Sequence, residues 1–235
     1  DYNHMGKKDK LRRFAENETF DHVIQPQFNE VFNTNYKYKH KWSELYWKNP
    51  NPIILELGCG KGEYTIQLAQ KYPNCNCIGI DIKGARLWRG AKTALEDSLQ
   101  NVAFIRSRIE FLESFFGTDE ISEIWITFPD PQKEKRRTKK RLTSPRFLNM
   151  YKNILQPHGK IHLKTDSKEL YEYTKSLLEF NKQPILIATD NLYESTVTNE
   201  ILEIKTFYEQ GYLAQGKPIT YLQFEINSPI VEIED

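Results

Sequence analysis

Short apolar runs recur along the chain from Pro52 onward, and the segments between them place apolar residues at helical spacing. Seven runs predict β-strands at Ile53–Leu57, Cys77–Ile82, Val102–Arg106, Ile121–Phe128, Lys160–Thr165, Ile185–Ala188 and Ile219–Ile226. Helices are predicted at Glu63–Lys71, Gly84–Gln100, Ser144–Leu155 and Ser167–Phe180, with a short helix near Leu112 and a loop plus helix within residues 191–210. This alternation predicts an α/β fold with a Rossmann-like, mainly parallel seven-stranded sheet and helices on both faces.

The first 40 residues show no clear period and predict a basic N-terminal arm, either flexible or docked on its own domain. Residues 41–235 are predicted to form one domain. The four residues before Met5 are interpreted as an expression remnant. The segment 36–42 interleaves cations with aromatic residues, which suits either RNA phosphates and unstacked bases or an amphipathic entry into the domain.

Composition excludes several classes of protein. None of the apolar runs approaches the roughly 18 residues of a membrane span, so we expect no membrane association. Three cysteines without a disulfide framework are typical of a reducing cytoplasm, where we expect the protein to act. Cys75 and Cys77 have the wrong spacing for a zinc site, and we expect no metal.

The distribution of charge is more informative than its sum of +1. Residues 133–141 carry seven bases and one acid, and residues 7–13 carry five bases and one acid. These clusters, at +6 and +4, leave −9 for the rest of the chain. Basic patches on an acidic body steer polyanions such as nucleic acids.

A glycine-rich loop follows the first predicted strand and reads Gly58-Cys-Gly60-Lys-Gly62-Glu63. A dinucleotide site needs a small third residue where Glu63 stands, and an acid at a helix start repels pyrophosphate. The loop therefore favours a nucleoside ligand without phosphates, such as S-adenosylmethionine. Glu56 is predicted to face its cationic methionine portion. Asp81, at the end of the next strand, is predicted to accept hydrogen bonds from its ribose hydroxyls, or else to cap the following helix.

A second site is predicted where the fourth strand ends in Pro129-Asp130-Pro131, because prolines cannot continue a central strand. Asp130 stands directly before the basic run 133–141. This arrangement favours a site that binds a polyanion and keeps one carboxylate for chemistry, the alternative being a solvated loop.

These motifs occur in the order found in a known family. Glu56-Leu-Gly-Cys-Gly-Lys-Gly, Ile80-Asp81, Phe128-Pro-Asp130-Pro, the run into Arg141-Leu-Thr, Leu163-Lys-Thr-Asp166, Thr206-Phe-Tyr-Glu209 and Gly216-Lys-Pro-Ile follow one another. Over residues 40–226 the chain resembles the bacterial tRNA (guanine-N7)-methyltransferases, which act at position 46 in the variable loop.

The resemblance implies a set of contact residues. Contacts to S-adenosylmethionine fall on Glu56, Asp81, Asp130 and the loop glycines Gly58 and Gly60, and the adenine position falls on Arg108. Because an arginine accepts no hydrogen bond, Ile109 through its backbone, or Glu110, is expected to replace it. Substrate contacts fall on Lys133, Lys135, Arg136, Arg137, Asp166, Thr206, Tyr208 and Glu209. Glu134 stands where the family has its first lysine, so Lys133 or Lys135 is expected to substitute. Asp166 with Glu169 also resembles a capping box, and Thr206, Tyr208 and Glu209 also fit a plain helix surface.

The sequence thus predicts a class I S-adenosylmethionine-dependent methyltransferase that modifies N7 of guanine 46 in tRNA, as a monomer or homodimer. N7 carries no proton, so no general base is expected. Asp130 is the predicted catalytic carboxylate, and Asp166 and Glu209 are the next candidates. The alternatives are another RNA or small-molecule methyltransferase on this fold, or a non-catalytic RNA-binding relative.

Overall fold

The computed structural model describes residues 6–197, 199 and 202–234, and the predicted expression remnant lies outside them. The α-helices are α1 Lys7–Asn17, α2 Phe28–Val31, α3 Glu63–Lys71, α4 Gly84–Glu96, α5 Leu112–Phe115, α6 Pro145–Ile154, α7 Lys168–Phe180 and α8 Phe207–Ala214. The strands are β1 Val23–Ile24, β2 Ile53–Leu57, β3 Asn76–Asp81, β4 Val102–Arg106, β5 Ile121–Thr127, β6 Leu155–Thr165, β7 Ile185–Thr189 and β8 Thr220–Phe224. The first of two compact units ends at Phe116 and the second begins at Gly117.

The first unit contains four parallel strands in the order β1–β4–β3–β2. Every residue of β2 and β3 is buried. Parallel strands covered on both faces need continuous apolar runs, which is why these strands were recognisable in the sequence.

Two glycines set how closely α3 approaches α4. Gly62 has φ +74° and precedes α3. A Cβ on Gly90 of α4 would lie 3.0 Å from Gly62 Cα and 2.7 Å from the Phe104 ring of β4. The glycine loop therefore packs against α4 and β4 through backbone contact that leaves no room for a side chain.

The N-terminal arm is docked within the first unit. The buried Asn17 of α1 donates from Nδ2 to the Gly84 carbonyl over 2.9 Å, and Arg13 donates to the Ala85 carbonyl over 3.1 Å. Strand β1 pairs with β4. Of the two interpretations of the arm, docking is correct for residues 6–40.

Tyr36 and Trp42 of segment 36–42 belong to the core of the first unit, whereas Tyr38 is half-buried and packs on Trp42 and Tyr46. Trp42 has no exposed surface, packs on Phe116 and donates from Nε1 to the Phe115 carbonyl over 2.8 Å. Tyr36 is also buried and packs on Phe115. The segment is therefore amphipathic and packs on the domain, and the Tyr36 and Trp42 rings are not available to unstacked bases.

The second unit has the strand order β5–β6–β8–β7, in which β5 and β6 are parallel and β8 runs antiparallel to both neighbours. Strand β6 begins at Leu155 rather than at the predicted Lys160. His158, inside it, has φ +61°, and the β5–β6 register shifts between Ile121 and Glu123. The predicted turn at residues 157–159 is thus an irregularity within a longer strand.

A polar cluster crosses the sheet of the second unit. The His162 ring stacks on Trp125 at a centroid distance of 3.8 Å. Glu123 accepts hydrogen bonds from Trp125 Nε1 over 3.1 Å and from His162 Nε2. His162 Nδ1 and the Tyr221 hydroxyl are hydrogen-bonded over 2.6 Å. Burial raises the pKa of Glu123, but the interactions with His162, Trp125 and Lys160, those with His162 foremost, together bring this pKa below its ordinary value.

The seven predicted strands are all present, and β1 adds an eighth within the described residues. Four of the six strand pairings given above are parallel, which confirms the mainly parallel prediction. Within the described ranges, no helix is long and apolar enough to cross a bilayer. The same ranges hold no group of three or more His, Cys, Asp or Glu placed for a metal ion.

Candidate functional site

A pocket of about 540 Å³ lies where β3 and β4 of the first unit end. Its lining consists of Gly58, Asp81, Ile82, Ser107, Arg108, Ile109 and Glu110. The structure therefore brings together five residues named in the sequence analysis: Gly58, Asp81, Arg108, Ile109 and Glu110.

The Asp81 carboxylate ties this pocket to the glycine loop. Oδ2 accepts a hydrogen bond from Gly60 N over 2.9 Å, and Oδ1 accepts one from Lys83 N over 2.8 Å. The N-cap residue of α4 is Lys83, so the alternative that Asp81 caps this helix is wrong. Each carboxylate oxygen has a second lone pair, so Asp81 can accept further hydrogen bonds from a ligand.

Glu56 lies below the loop rather than in the pocket lining. The residue is 2% exposed, and Oε1 accepts hydrogen bonds from Thr65 N over 3.0 Å and Thr65 Oγ1 over 2.6 Å. It thereby satisfies a backbone donor in the first turn of α3. Its contact with the methionine portion of a ligand stays a prediction.

Arg108 and Glu110 form an ion pair in the pocket wall, with 3.4 Å between Arg108 Nε and Glu110 Oε2. The Arg108 side chain is 67% exposed and offers donors only. Glu110 supplies a side-chain acceptor, and Ile109 between them supplies backbone groups. The adenine contact stays a prediction.

Cys59 of the glycine loop is not a nucleophile in this setting. Burial, followed by the charges of Asp81 and Glu56, raises the pKa of its thiol well above the ordinary value. A neutral thiol is a weak nucleophile.

A second pocket, also about 540 Å³, lies in the second unit where β5 and β6 end. Its lining consists of Phe128, Pro129, Asp130, Pro131, Lys133, Asp166, Ser167, Lys168, Glu169, Tyr212 and Lys217. The predicted residues Asp130, Lys133 and Asp166 thus share one pocket. Tyr212 and Lys217 were not recognised in the sequence as pocket residues.

Asp130 is exposed at the tip of a strained loop. Phe128 and Gln132, on either side of it, have φ of +49° and +48°, which is uncommon for residues with a side chain. Asp130 Oδ1 accepts a hydrogen bond from Gln132 N over 2.9 Å. This hydrogen bond orients the exposed carboxylate, which can accept further hydrogen bonds from a ligand.

Asp166 has a cationic neighbour in this pocket, since Lys217 Nζ lies 4.0 Å from its Oδ2. The N-cap of α7 is Ser167, whose hydroxyl accepts a hydrogen bond from Leu170 N over 3.1 Å. The capping-box interpretation of Asp166 with Glu169 is therefore wrong, and the Asp166 carboxylate is not used for capping.

Glu209 lies in the interior. It has no exposed surface and forms an ion pair with Lys164, with 2.8 Å between Nζ and Oε1. The Tyr193 hydroxyl donates to the same oxygen. Burial lowers the pKa of Lys164, while Glu209 acts in the opposite direction. Burial and the Glu209 hydrogen bond raise the pKa of Tyr193, which therefore remains a donor.

Two further predicted contacts lie on α8. Thr206 is the N-cap of this helix and accepts a hydrogen bond from Glu209 N over 3.2 Å. Tyr208 is 39% exposed. Direct contact of Thr206, Tyr208 or Glu209 with a substrate stays a prediction, and for Glu209 it would require the Lys164 ion pair to open.

The basic run forms a 3₁₀ segment, Lys135–Lys140, beside a groove of about 890 Å³ in the second unit. The lining includes Lys135, Arg136, Lys139, Lys140 and Arg146. Arg137 is exposed on the same segment. Arg141 differs, because it is buried and donates from Nε to the Pro131 carbonyl over 3.1 Å. The run therefore presents cations to solvent and is tied by Arg141 to the Asp130 loop.

Comparison with known proteins identifies the family. Residues 50–222 match the family described as "Putative methyltransferase". A tRNA (guanine-N(7)-)-methyltransferase of Christiangramia forsetii is 57% identical over 94% of this chain and 100% of the relative. A protein of the same name from Bacteroides fragilis is 45% identical over 98% of this chain and 92% of the relative. The chain belongs to the tRNA (guanine-N(7)-)-methyltransferase family.

Solved structures confirm the fold of this family member. The 16S rRNA methyltransferase KamB has a TM-score of 0.62 at 14% identity and covers 80% of this chain and 94% of its own. A 16S rRNA (adenine(1408)-N(1))-methyltransferase from Catenulisporales acidiphilia, solved with the cosubstrate SAM, has a TM-score of 0.54 at 13% identity over 83% and 93% of the two chains. The predicted α/β methyltransferase fold is thus confirmed.

This member of the tRNA (guanine-N(7)-)-methyltransferases has Glu134 where the resemblance leads us to expect a lysine. The Glu134 carboxylate pairs with Arg136 at 2.6 Å. Lys133 lines the pocket that contains Asp130, whereas Lys135 lines the basic groove. Lys133 is therefore the better placed of the two expected substitutes.

Proposed function

We propose that this protein transfers a methyl group from S-adenosylmethionine to N7 of guanine 46 in tRNA. The observation that carries the proposal is the pocket of the second unit, in which Asp130 and Asp166 stand among lysines in a chain of this family. A guanine presents N1–H and N2 donors to carboxylates, and its phosphate presents an anion to lysines.

The pocket of the first unit fits the donor. S-adenosylmethionine, when bound, supplies a methyl group activated by the positive sulfonium. Asp81 is placed to accept hydrogen bonds from ribose hydroxyls. A Cβ on Gly58, where φ is +69°, would meet nothing within 4 Å, so the loop leaves open space at this point. Glu56, beneath the glycine loop of this unit, supplies a further carboxylate for a cationic ligand.

The protein needs no proton acceptor for this reaction, because the N7 lone pair lies in the ring plane and is unprotonated. Positive charge develops on the guanine ring as the bond to N7 forms. A preorganised carboxylate at the N1–H and N2 edge stabilises that charge. Asp130, fixed by Gln132 N, is the catalytic residue we assign, and Asp166 is the second carboxylate on the guanine.

The exposed cations of the basic run bind the tRNA backbone. Lys135, Arg136 and Arg137 neutralise phosphates and release counterions, which contributes affinity without reading sequence. We place this activity in the cytoplasm, in residues 41–235, with the protein acting as a monomer or homodimer.

Bulk unmodified tRNA, incubated with the protein and a methyl-labelled donor, tests the proposal. We expect label in 7-methylguanosine after digestion, and none when guanine 46 is replaced by adenine in a single tRNA transcript. Label in another nucleoside would favour a different RNA methyltransferase. Donor binding without methylation of any RNA would favour a non-catalytic or small-molecule function and contradict the proposal.

A further inference from the structure

Helix α8 buries a charged residue and exposes two aromatic residues, which is the reverse of the pattern in an ordinary surface helix. Glu209 is its only buried residue, while Phe207 is 59% exposed and Tyr208 39% exposed. A surface helix normally turns its apolar side to the core and its charges to water. Large aromatic groups grouped at a surface indicate an interaction site.

The buried side of α8 explains how the helix is held while Phe207 and Tyr208 stay largely exposed, with Tyr212 of the same helix packing on Phe128 at 5.8 Å. Glu209 pairs with Lys164, which also donates to the Leu202 and Ile204 carbonyls, each over 2.9 Å. Thr206 caps the first turn. These polar contacts fix α8 on β6 and leave the Phe207 and Tyr208 rings, 5.8 Å apart and edge to face, at the surface.

The aromatic surface is continuous with the pocket that contains Asp130. A pocket of about 450 Å³ is lined by Phe207, Tyr208, Gln210, Gly211, Tyr212 and Gln215. Tyr212 also lines the Asp130 pocket. A group bound in the α8 pocket would therefore lie next to a group bound in the pocket that contains Asp130.

The charges around this surface match a nucleotide. Lys217 lies over the Tyr212 ring at 5.3 Å, and the exposed Lys205, one residue before the α8 N-cap Thr206, lies over the Tyr193 ring at 4.7 Å. Aromatic rings flanked by cations suit an unstacked base, whose π-face stacks on the ring while its phosphate meets the lysine. A second copy of this chain would bring like charges together at these lysines.

We propose that Phe207 and Tyr208 form a stacking platform for an unpaired tRNA base adjacent to the target guanine. The proposal rests on the function proposed above and adds a second nucleotide to the site. The platform would hold the neighbouring base while the guanine enters the Asp130 pocket, so it contributes to tRNA binding and not to donor binding.

The test compares Phe207→Leu with Phe180→Leu in the full chain. Leucine keeps an apolar side chain but removes the flat ring. Phe180 is 50% exposed at the last residue of α7, whose first residue lines the Asp130 pocket, roughly 18 Å away by the helical rise. Each variant is assayed on intact tRNA and on tRNAs made abasic at either neighbour of the target guanine.

We expect Phe207→Leu to raise KM for intact tRNA about tenfold, within the range measured for one stacked base. The increase should disappear on one of the two abasic tRNAs, whereas Phe180→Leu should match the wild type and donor affinity should hold throughout. If the wild type forms no 7-methylguanosine, the proposed function fails. If the wild type is active but Phe207→Leu shows no defect, or the same defect on both abasic tRNAs, the platform is refuted. A change of oligomeric state in Phe207→Leu would assign the surface to self-association and equally refute it.

Discussion

Lys164 Nζ lies 2.8 Å from Glu209 Oε1, and neither side chain has any exposed surface. The lysine belongs to β6, and the glutamate belongs to α8. Lys164 also donates to the carbonyls of residues 202 and 204, so one buried cation connects β6 to α8 and to two residues of the segment before it. A charge in this position is tolerated only while its partners remain.

Lys164→Met should lower the free energy of unfolding by about 3–5 kcal/mol, because it leaves the Glu209 carboxylate buried and uncompensated. Urea unfolding followed by circular dichroism measures the loss. The double variant Lys164→Met with Glu209→Gln should recover part of it, because the orphaned charge is gone. A single variant as stable as the wild type would mean that the pair contributes nothing to the fold.

Asp81→Ala should weaken S-adenosylmethionine binding by about 1–3 kcal/mol, since the ribose hydroxyls lose a charged acceptor and Gly60 N loses its partner. Titration calorimetry on the folded variant measures the change. Asp97→Ala, at the opposite end of α4 and exposed, is the matched control and should bind like the wild type. Unchanged affinity in Asp81→Ala would restrict Asp81 to holding the loop.

Asp130→Asn should reduce the methyl-transfer rate about 100-fold while tRNA affinity changes little, because the amide keeps the shape but not the charge. Single-turnover assays with saturating donor and tRNA isolate the chemical step. The control is Asp119→Asn, because Asp119 precedes β5 whereas Asp130 follows it, and this variant should react like the wild type. A wild-type rate in Asp130→Asn would move the electrostatic role to Asp166.

Replacing Arg136, Arg137, Lys139 and Lys140 by Gln should weaken tRNA binding and flatten its salt dependence, with about 0.7–0.9 units of log–log slope lost per phosphate contact. Filter binding over a range of salt concentrations gives the slope. Replacement of Lys7, Lys8, Lys10 and Arg12 tests the second basic cluster in parallel. An unchanged slope in the first variant would identify the run as a solvated surface.

Glu123 should contribute to acid stability. Its pKa in the folded protein is below the ordinary 4.5, so its contribution is complete above that pH and is lost as the pH falls through the folded-state pKa. The stability difference between the wild type and Glu123→Gln should therefore narrow below about pH 4.5. Urea unfolding at successive pH values measures it, with the exposed Glu172→Gln as control. A difference independent of pH would show that the His162 hydrogen bond does not hold Glu123 ionised.

Strands β2, β3 and β4 of the first unit were predictable because they are almost entirely buried and mostly apolar, whereas the two-residue β1 is too short to give a pattern. Strands β2 and β4 begin and end at the predicted residues. Helix α1 was not predictable, because its docking relies on Arg13, Asn17 and a cation–π contact of Arg13 with Trp88 at 4.3 Å rather than on an apolar stripe. The start of β6 was misplaced because Pro157-His158-Gly159 carries turn residues inside a strand.

Much of the candidate site followed from the rule that parallel strands present their carboxyl ends at one edge. That rule places Gly58 near Asp81 and Asp130 near Asp166. In the structure, the first pair lines the first-unit pocket and the second pair lines the pocket of the second unit. The rule does not predict the ion pair between Lys164 and Glu209, because the two residues lie 45 positions apart in the sequence. A lysine within an apolar strand gives no indication of which acidic residue will pair with it.

The contact between Gly62 and Gly90 restricts how this protein can vary. With 3.0 Å between a notional Cβ at position 90 and the Gly62 backbone, even alanine would push α4 away from the glycine loop. The loop that carries Gly60 would move with it, although position 90 lies outside the lining of the first-unit pocket. In the proposed function, affinity for the methyl donor would therefore depend on backbone clearance at a helix position that lies outside the pocket lining.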